Sequence, residues 1–269
     1  MRMKTTESSL TKTEHLEMAR KAWDAYHPHY TSFKLRKRPN FHQFFAAGGV
    51  ELNDVEVALA GDVKGKKLLD ICCAGDATQA FSWENLGAEV VACDFSSVAI
   101  ELAKRNAEKI GSRIQFKVAD AQILTPIADN QFDIVYATYT CWLEDLYQAA
   151  QAWHRVLKPG GRLLLSTNHP VVGCLEETDC TLTVTRDYFD DSPEYYNFTG
   201  TPIADEYGGW DGNLPIVEFV HPLSDVINAI AGAGLCIKQM VETRVPDEQS
   251  PLLSQLPKYM AWVVEKEDS

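Results

Sequence analysis

Apolar positions along this chain follow two alternating periods, and the alternation outlines the elements. Between residues 13 and 26 they recur at helical spacing, with Leu16, Ala19, Trp23 and Tyr26 on one stripe. His27-Pro28-His29 is expected to end that helix, because a proline restricts the residue before it. A short helix is expected over Phe41 to Phe45, Gly48-Gly49 punctuates the chain, and a further helix spans residues 51 to 60. From Lys66 through residue 167, short apolar runs alternate with helical patterns, which predicts parallel strands joined by crossover helices. The regularity breaks at residues 171 to 215. There Tyr188, Phe189, Tyr195, Tyr196, Phe198, Tyr207 and Trp210 are interleaved with Asp187, Asp190, Asp191, Glu194, Asp205 and Glu206. So long a connection in a compact domain reads as a lid or binding element. Patterning resumes at Ile216 to Val220, then a helix from Leu223 to Ala233, a strand from Leu235 to Thr243 and a last strand from Tyr259 to Val264.

The densest chemistry lies at residues 68 to 76, Leu-Leu-Asp-Ile-Cys-Cys-Ala-Gly-Asp, an apolar strand that opens at Asp70 into a small-residue turn and then a helix. In a doubly wound sheet that is where a nucleotide-like ligand binds. A second strand, Glu89 to Cys93, ends at Asp94, 24 positions after Asp70 and 19 after Gly75. That is about the roughly 20-residue spacing at which an acid reaches ribose hydroxyls. A dinucleotide needs close glycines and a helix N-terminus for its pyrophosphate, yet Asp70 and Asp76 flank the single Gly75 and would repel it. A phosphate-free cofactor with a cationic tail suits the turn, and S-adenosylmethionine carries a sulfonium and an ammonium.

Three further segments accompany the turn: Cys93-Asp94-Phe95-Ser96 with Ala99-Ile100, then Val118-Ala119-Asp120-Ala121, then Phe132-Asp133-Ile134-Val135 followed by Leu157-Lys158-Pro159-Gly160-Gly161-Arg162-Leu163-Leu164-Leu165. In this order, residues 64 to 170 resemble the core of a class I S-adenosylmethionine-dependent methyltransferase. The first motif departs from the family pattern, with Cys72 and Ala74 where two glycines are expected and the third on Asp76 or Gly75. The resemblance implies an α/β, Rossmann-like fold: a seven-stranded, mostly parallel sheet with helices on both faces and an antiparallel C-terminal hairpin. It implies two regions, an N-terminal helical lid or substrate region over residues 1 to 63 and a catalytic domain over 64 to 269 with a lid insertion at 171 to 215. S-adenosyl-L-methionine would be the cofactor and S-adenosyl-L-homocysteine its product. The backbone from Cys72 through Cys73 and Ala74 to Gly75 would take the amino-acid tail, Asp94 with Phe95 the ribose, and Asp120 with Ala121 the adenine. Thr138 and Tyr139 would line the methionine side, Trp142 would close over the adenosine, and Tyr30 resembles a lid tyrosine.

Composition narrows the partners. The chain has 269 residues, 45% of them hydrophobic, enough for one substantial core. A net charge of −13 argues against nucleic acid, whose backbone is bound by clustered Lys and Arg. The run Lys34-Leu35-Arg36-Lys37-Arg38 reads as a solvated face, with a substrate anion as the alternative. Apolar runs fall short of the roughly 18 residues of a membrane span, and the N-terminus lacks a signal-peptide core, so a cytoplasmic protein without a membrane partner is expected, as a monomer or homodimer. The seven cysteines, Cys72, Cys73, Cys93, Cys141, Cys174, Cys180 and Cys236, lack paired zinc spacings and read as buried thiols, with a redox switch at Cys72 and Cys73 as the alternative.

Methyl transfer is an in-line displacement at an already activated carbon, so alignment and exclusion of water are the protein's main tasks. No metal is required. His169, after the fifth strand in Asn168-His169-Pro170, is the candidate general base, with a structural hydrogen bond as the other reading. Tyr207, Trp210 and His221 are candidate acceptor contacts. The acceptor is expected to be a small metabolite methylated on oxygen or nitrogen. Cyclisation or aminopropyl transfer, or a non-catalytic cofactor-binding module, are the alternatives.

Overall fold

The computed structural model describes residues 10–138, 143–178, 181–199, 206, 212–244 and 250–267. Seven strands form the main sheet: β1 (Lys67–Ile71), β2 (Glu89–Asp94), β3 (Gln115–Val118), β4 (Phe132–Thr138), β5 (Leu157–Asn168), β10 (Leu235–Thr243) and β11 (Tyr259–Lys266). Their order is β10-β11-β5-β4-β1-β2-β3. β1, β2 and β3 are parallel neighbours, as are β4 and β5, whereas β11 runs antiparallel to both β5 and β10. The expected seven-stranded Rossmann-like sheet with an antiparallel C-terminal hairpin is therefore present. Strand order reverses at β1, the position at which such sheets bind ligands. Leu68, Leu69, Asp70 and Ile71 are all buried, as in a parallel strand covered on both faces. Each buried Leu or Ile contributes about 1.5–3 kcal/mol.

The described residues fall into two compact units, one drawn from Met1–Leu52, Val63–Ala121 and Pro193–Glu218, the other from Asn53–Asp62, Gln122–Ser192 and Phe219–Ser269. The first contains helices α1 (Lys12–Lys37), α2 (Phe41–Ala46), α4 (Thr78–Asn85) and α5 (Ser97–Ile110). Phe41, Phe45 and Phe81 form its aromatic core, and the Asn85 side chain ties α4 to the α2 end by donating to the Phe45 and Gly49 carbonyls at 2.9 and 2.8 Å. The second contains α3 (Asp54–Ala60), α6 (Leu146–Val156), the short α7 (Pro170–Gly173) and α8 (Leu223–Gly232).

Two expectations need correction. Helix α1 does not end at His27-Pro28-His29 but runs through it to Lys37. An interior proline costs roughly 3 kcal/mol, and packing on both sides of it offsets that cost: Tyr26 stacks on Tyr30 at 5.3 Å, and His27 and Thr31 are buried. A capping box between Thr11 and Glu14 starts the helix, and Lys34, Arg36 and Lys37 complement its C-terminal dipole. The basic run thus has structural work: Lys34, Lys37 and Arg38 lie over the rings of Tyr30, Phe33 and Phe44, and Arg38 pairs with Glu51. The buried face is also not the apolar stripe. Leu16, Ala19, Trp23 and Tyr26 are half-buried, while His15, Ala22, His27 and Thr31 are buried.

Residues 171–215 divide between the units. β6 (Leu175–Thr178) and β7 (Thr181–Val184) make an antiparallel hairpin in the second. In the first, β8 (Glu194–Tyr196) pairs with β9 (Ile216–Glu218), so the run at Ile216 joins a small separate sheet. The aromatics beside β8 pack on α1, where the Tyr195 hydroxyl meets His15 Nε2 at 2.8 Å and Phe198 stacks on Tyr26 at 5.6 Å.

Candidate active site

The turn after β1 retains the backbone shape that its sequence obscures. Cys72 and Ala74, which replace the two expected glycines, both sit in the left-handed region, at φ 65° and 56°. For an L-residue that conformation costs roughly 1–2 kcal/mol, so the surroundings hold the turn in a shape glycine would adopt freely. Gly75 has no positive φ; it is needed for close approach. A Cβ there would lie 2.6 Å from Thr31 Oγ1 of α1 and 3.1 Å from Leu102 Cδ1 of α5. Asn106 of α5 fixes the same residue by donating to the Gly75 carbonyl at 3.0 Å, and is itself paired with His42 Nε2 at 3.0 Å.

Acids converge on this turn. Asp70, Asp76 and Asp94 are all buried. Asp76 accepts the Thr78 hydroxyl at 2.6 Å. Asp94, at the end of β2, accepts the Ala74 N–H at 3.1 Å and the Ser96 N–H at 2.9 Å, binding turn to strand end. Burial pushes its carboxyl above the usual carboxylate range, opposed by neighbouring His27 and those two N–H donors. A carboxylate has about four lone-pair sites, so acceptor capacity remains for two ribose hydroxyls. Ser96 caps α5 and donates its hydroxyl to Asp24 of α1. Phe95 and Asp120 are half-buried beyond the ends of β2 and β3, and Ala121 is buried. Tyr30, on α1, is half-buried. Thr138 closes β4 and is buried. Tyr139, Trp142, Tyr207 and Trp210 lie outside the described residues.

The cysteines of the turn and of the neighbouring end of β2 differ. Cys73 and Cys93 are buried, and burial, aided by Asp94 and Asp70, pushes both thiols far up, which keeps them protonated and unreactive. Cys72 is half-buried.

The candidate histidines occupy the other unit. His169 caps α7: its Nδ1 accepts the Val171 N–H at 3.2 Å, and its Nε2 lies 3.1 Å from Glu242 Oε1. An Nδ1 that accepts puts the proton on Nε2, so both nitrogens face protein groups. Removing a substrate proton here would require one of these contacts to open. His221 Nε2 donates to the Leu143 carbonyl at 2.7 Å, and burial lowers its ring below the ordinary imidazole range. That hydrogen bond fixes the neutral tautomer with the lone pair on Nδ1.

Asp24, His27, Thr31 and Asn106 emerge as site residues from the structure alone. The three on α1 are spaced three and four apart, a helical face that is polar, and this spacing is the signal that could have marked it. The turn fits the expected cofactor: buried carboxylates suit a cationic tail, Asp94 keeps unused acceptor sites, and buried His27 Nδ1 and Thr31 Oγ1 have no hydrogen-bond partner.

Comparison with known proteins gives the chain its relatives. Residues 69–165 match the family described as a methyltransferase domain. Demethylmenaquinone methyltransferase of Thermus thermophilus is 36% identical over 193 residues, covering 68% of this chain and 80% of that protein. The corresponding Paenarthrobacter aurescens protein is 40% identical over 118 residues, 42% of this chain, and the chain spans only 44% of its length. The crystal structure of an S-adenosylmethionine-dependent methyltransferase from Mesorhizobium loti shares the fold, with a TM-score of 0.61 at 21% identity over 78% of this chain and 95% of that one. The chain belongs to the class I S-adenosylmethionine-dependent methyltransferase family.

Proposed function

We propose that this protein transfers the methyl group of S-adenosylmethionine to an oxygen or nitrogen of a small-molecule metabolite, leaving S-adenosylhomocysteine. The observation that carries the reading is the turn after β1, where Cys72 and Ala74 adopt left-handed backbone and Asp94 receives the Ala74 and Ser96 N–H groups. Bound there, the cofactor supplies a sulfonium-activated methyl carbon. The chain's own residues supply alignment. Asp94 accepts the ribose hydroxyls, Asp120 and Ala121 meet the adenine, and Asp70 and Asp76 face the cationic end. Tyr30, Thr138, Tyr139 and Trp142 are the remaining cofactor contacts, residues 1–63 serve as a lid or substrate region, and the insertion at 171–215 serves as a lid.

Of His169, the expected base, and His221, expected as an acceptor contact, His221 has the chemistry for a base. Burial keeps it neutral near pH 7, and donation from Nε2 to the Leu143 carbonyl leaves the Nδ1 lone pair to accept a proton. His169 acts as a positioning residue through its cap on Val171 and its contact with Glu242. Tyr207 and Trp210 complete the acceptor contacts. The kinship to demethylmenaquinone methyltransferases brings quinone-like acceptors into the test beside amines and alcohols.

The experiment is incubation with methyl-labelled S-adenosylmethionine and panels of amine, hydroxyl and quinol acceptors, read by mass spectrometry. Label on an oxygen or nitrogen of one acceptor class, with stoichiometric S-adenosylhomocysteine, is the expected result. Label on carbon would correct the acceptor atom, and cofactor breakdown without labelled acceptor would replace methyl transfer by cyclisation or aminopropyl transfer. His221→Asn is expected to lower turnover by about a hundredfold or more, and His169→Asn, which keeps the cap, by less than about tenfold.

A further inference from the structure

We propose that His27 and Thr31 of α1 hold the carboxylate of the cofactor's amino-acid end, through His27 Nδ1–H and the Thr31 hydroxyl. This rests on the reading of the turn as an S-adenosylmethionine site.

Both side chains are polar and buried, at 4% and 3% exposure, and neither His27 Nδ1 nor Thr31 Oγ1 has a hydrogen-bond partner. A buried threonine on a helix ordinarily returns its hydroxyl to a carbonyl one turn back; Thr31 does not. Leaving such atoms unpaired is costly to a fold, and two of them on one helical face call for a ligand. The direction is defined. Thr31 Oγ1 would lie 2.6 Å from a Cβ on Gly75, so the hydroxyl stands against the cofactor turn. His27 is faced by Asp24 from its own helix, Asp76 from the segment after the turn and Asp94 from the end of β2, with the rings of Trp23 and Tyr26 at 5.7 and 6.0 Å.

Charge decides which part of the cofactor they serve. Asp70, Asp76 and Asp94 make the turn rich in acceptors, which suits the ammonium and the sulfonium. The cofactor's one anionic group needs donors, and among these carboxylates a donor pair has to come from elsewhere. Burial keeps the His27 ring below the ordinary imidazole range despite the three acids, so at neutral pH it carries one N–H, and the Thr31 hydroxyl supplies a second. Gly75 is then glycine because the hydroxyl must reach past it.

The test is a ligand–variant cycle by calorimetry. S-adenosylhomocysteine and its decarboxylated analogue, which keeps the amine, are titrated into the full chain and into His27→Ala, His27→Asn and Thr31→Val, with circular dichroism and melting as checks on folding. Expected are about a tenfold or greater loss of S-adenosylhomocysteine affinity in His27→Ala and Thr31→Val, partial recovery in His27→Asn, whose amide reaches the Nδ1 position, and unchanged affinity for the decarboxylated analogue. Equal losses for both ligands, or no loss, would overturn the assignment. Thr31→Val, nearly isosteric, decides the matter if the His27 variants do not fold. If the unaltered protein binds neither ligand, the cofactor reading itself has failed, an outcome distinct from failure of the carboxylate assignment alone.

Discussion

The face of α1 over the β1 turn and the region of His169 and His221 both draw polar side chains out of water, fully or in part, and they differ in where the hydrogen bonds of those side chains go. In the second region protein groups hold the rings: His169 bonds Val171 and lies against Glu242, and His221 Nε2 donates to the Leu143 carbonyl. At the turn, His27 and Thr31 are buried with polar atoms unpartnered, and Cys72 and Ala74 sit in a conformation that favours glycine. A histidine so held stabilises a fold whether or not it does chemistry. Unpartnered donors beside a strained turn cost the fold stability, and a bound ligand offsets the cost. The contrast separates a turn whose buried polar atoms are left for a ligand to pair from a region whose histidines are held by protein groups, His221 through Nε2 alone.

The strongest way to break the contrast is Asp94→Ala. It removes the ribose acceptor and also frees the Ala74 and Ser96 N–H groups, so S-adenosylhomocysteine affinity should fall by about a hundredfold or more by calorimetry. Gly75→Ala comes next. Its Cβ would meet Thr31 Oγ1, so stability should drop by about 1–3 kcal/mol in denaturant unfolding, and Thr31→Ala in the same chain should recover part of that loss.

Acid stability sharpens the comparison, because His27 and His221 belong to different regions and both are held below the ordinary value of 6.5 by burial. Between that value and each lowered folded value the unfolded chain binds more protons. Their contribution to stability is therefore present above 6.5 and lost as pH falls through the folded values. The melting temperature should decline on moving from about pH 7.5 to about pH 5.5, and less steeply in His27→Gln or His221→Gln. Bound S-adenosylhomocysteine should shelter His27 from this titration and leave His221 exposed to it. The smallest effect is expected for Ala74→Gly, which relieves left-handed strain at some cost in chain entropy, a gain of at most about 1 kcal/mol with cofactor affinity kept.

The sheet was legible because its strands are apolar runs bounded by turn residues. Leu235–Thr243 is observed as expected, and Glu89–Asp94 ends on the acid that marked it. The continuation of α1 through Pro28 was not, since local proline chemistry argued for a stop and the packing that overrides it comes from residues distant in the chain. Nor was its buried face. Helical apolar spacing picked Leu16, Ala19, Trp23 and Tyr26, while burial fell on His15, Ala22, His27 and Thr31. Composition cannot reveal a polar residue buried toward a ligand. The turn was legible in its acids and obscure in its shape: Cys72 and Ala74 read as a broken glycine motif, yet the backbone is held in the glycine conformation.

The most direct test of the cofactor site is calorimetric titration of the purified chain with S-adenosylmethionine and S-adenosylhomocysteine, with NAD as the control. Micromolar binding of both adenosyl ligands and none of NAD is the predicted result. Absence of binding by either, or binding of NAD at the same site, would contradict the reading of the acidic turn as built for a cationic, phosphate-free cofactor.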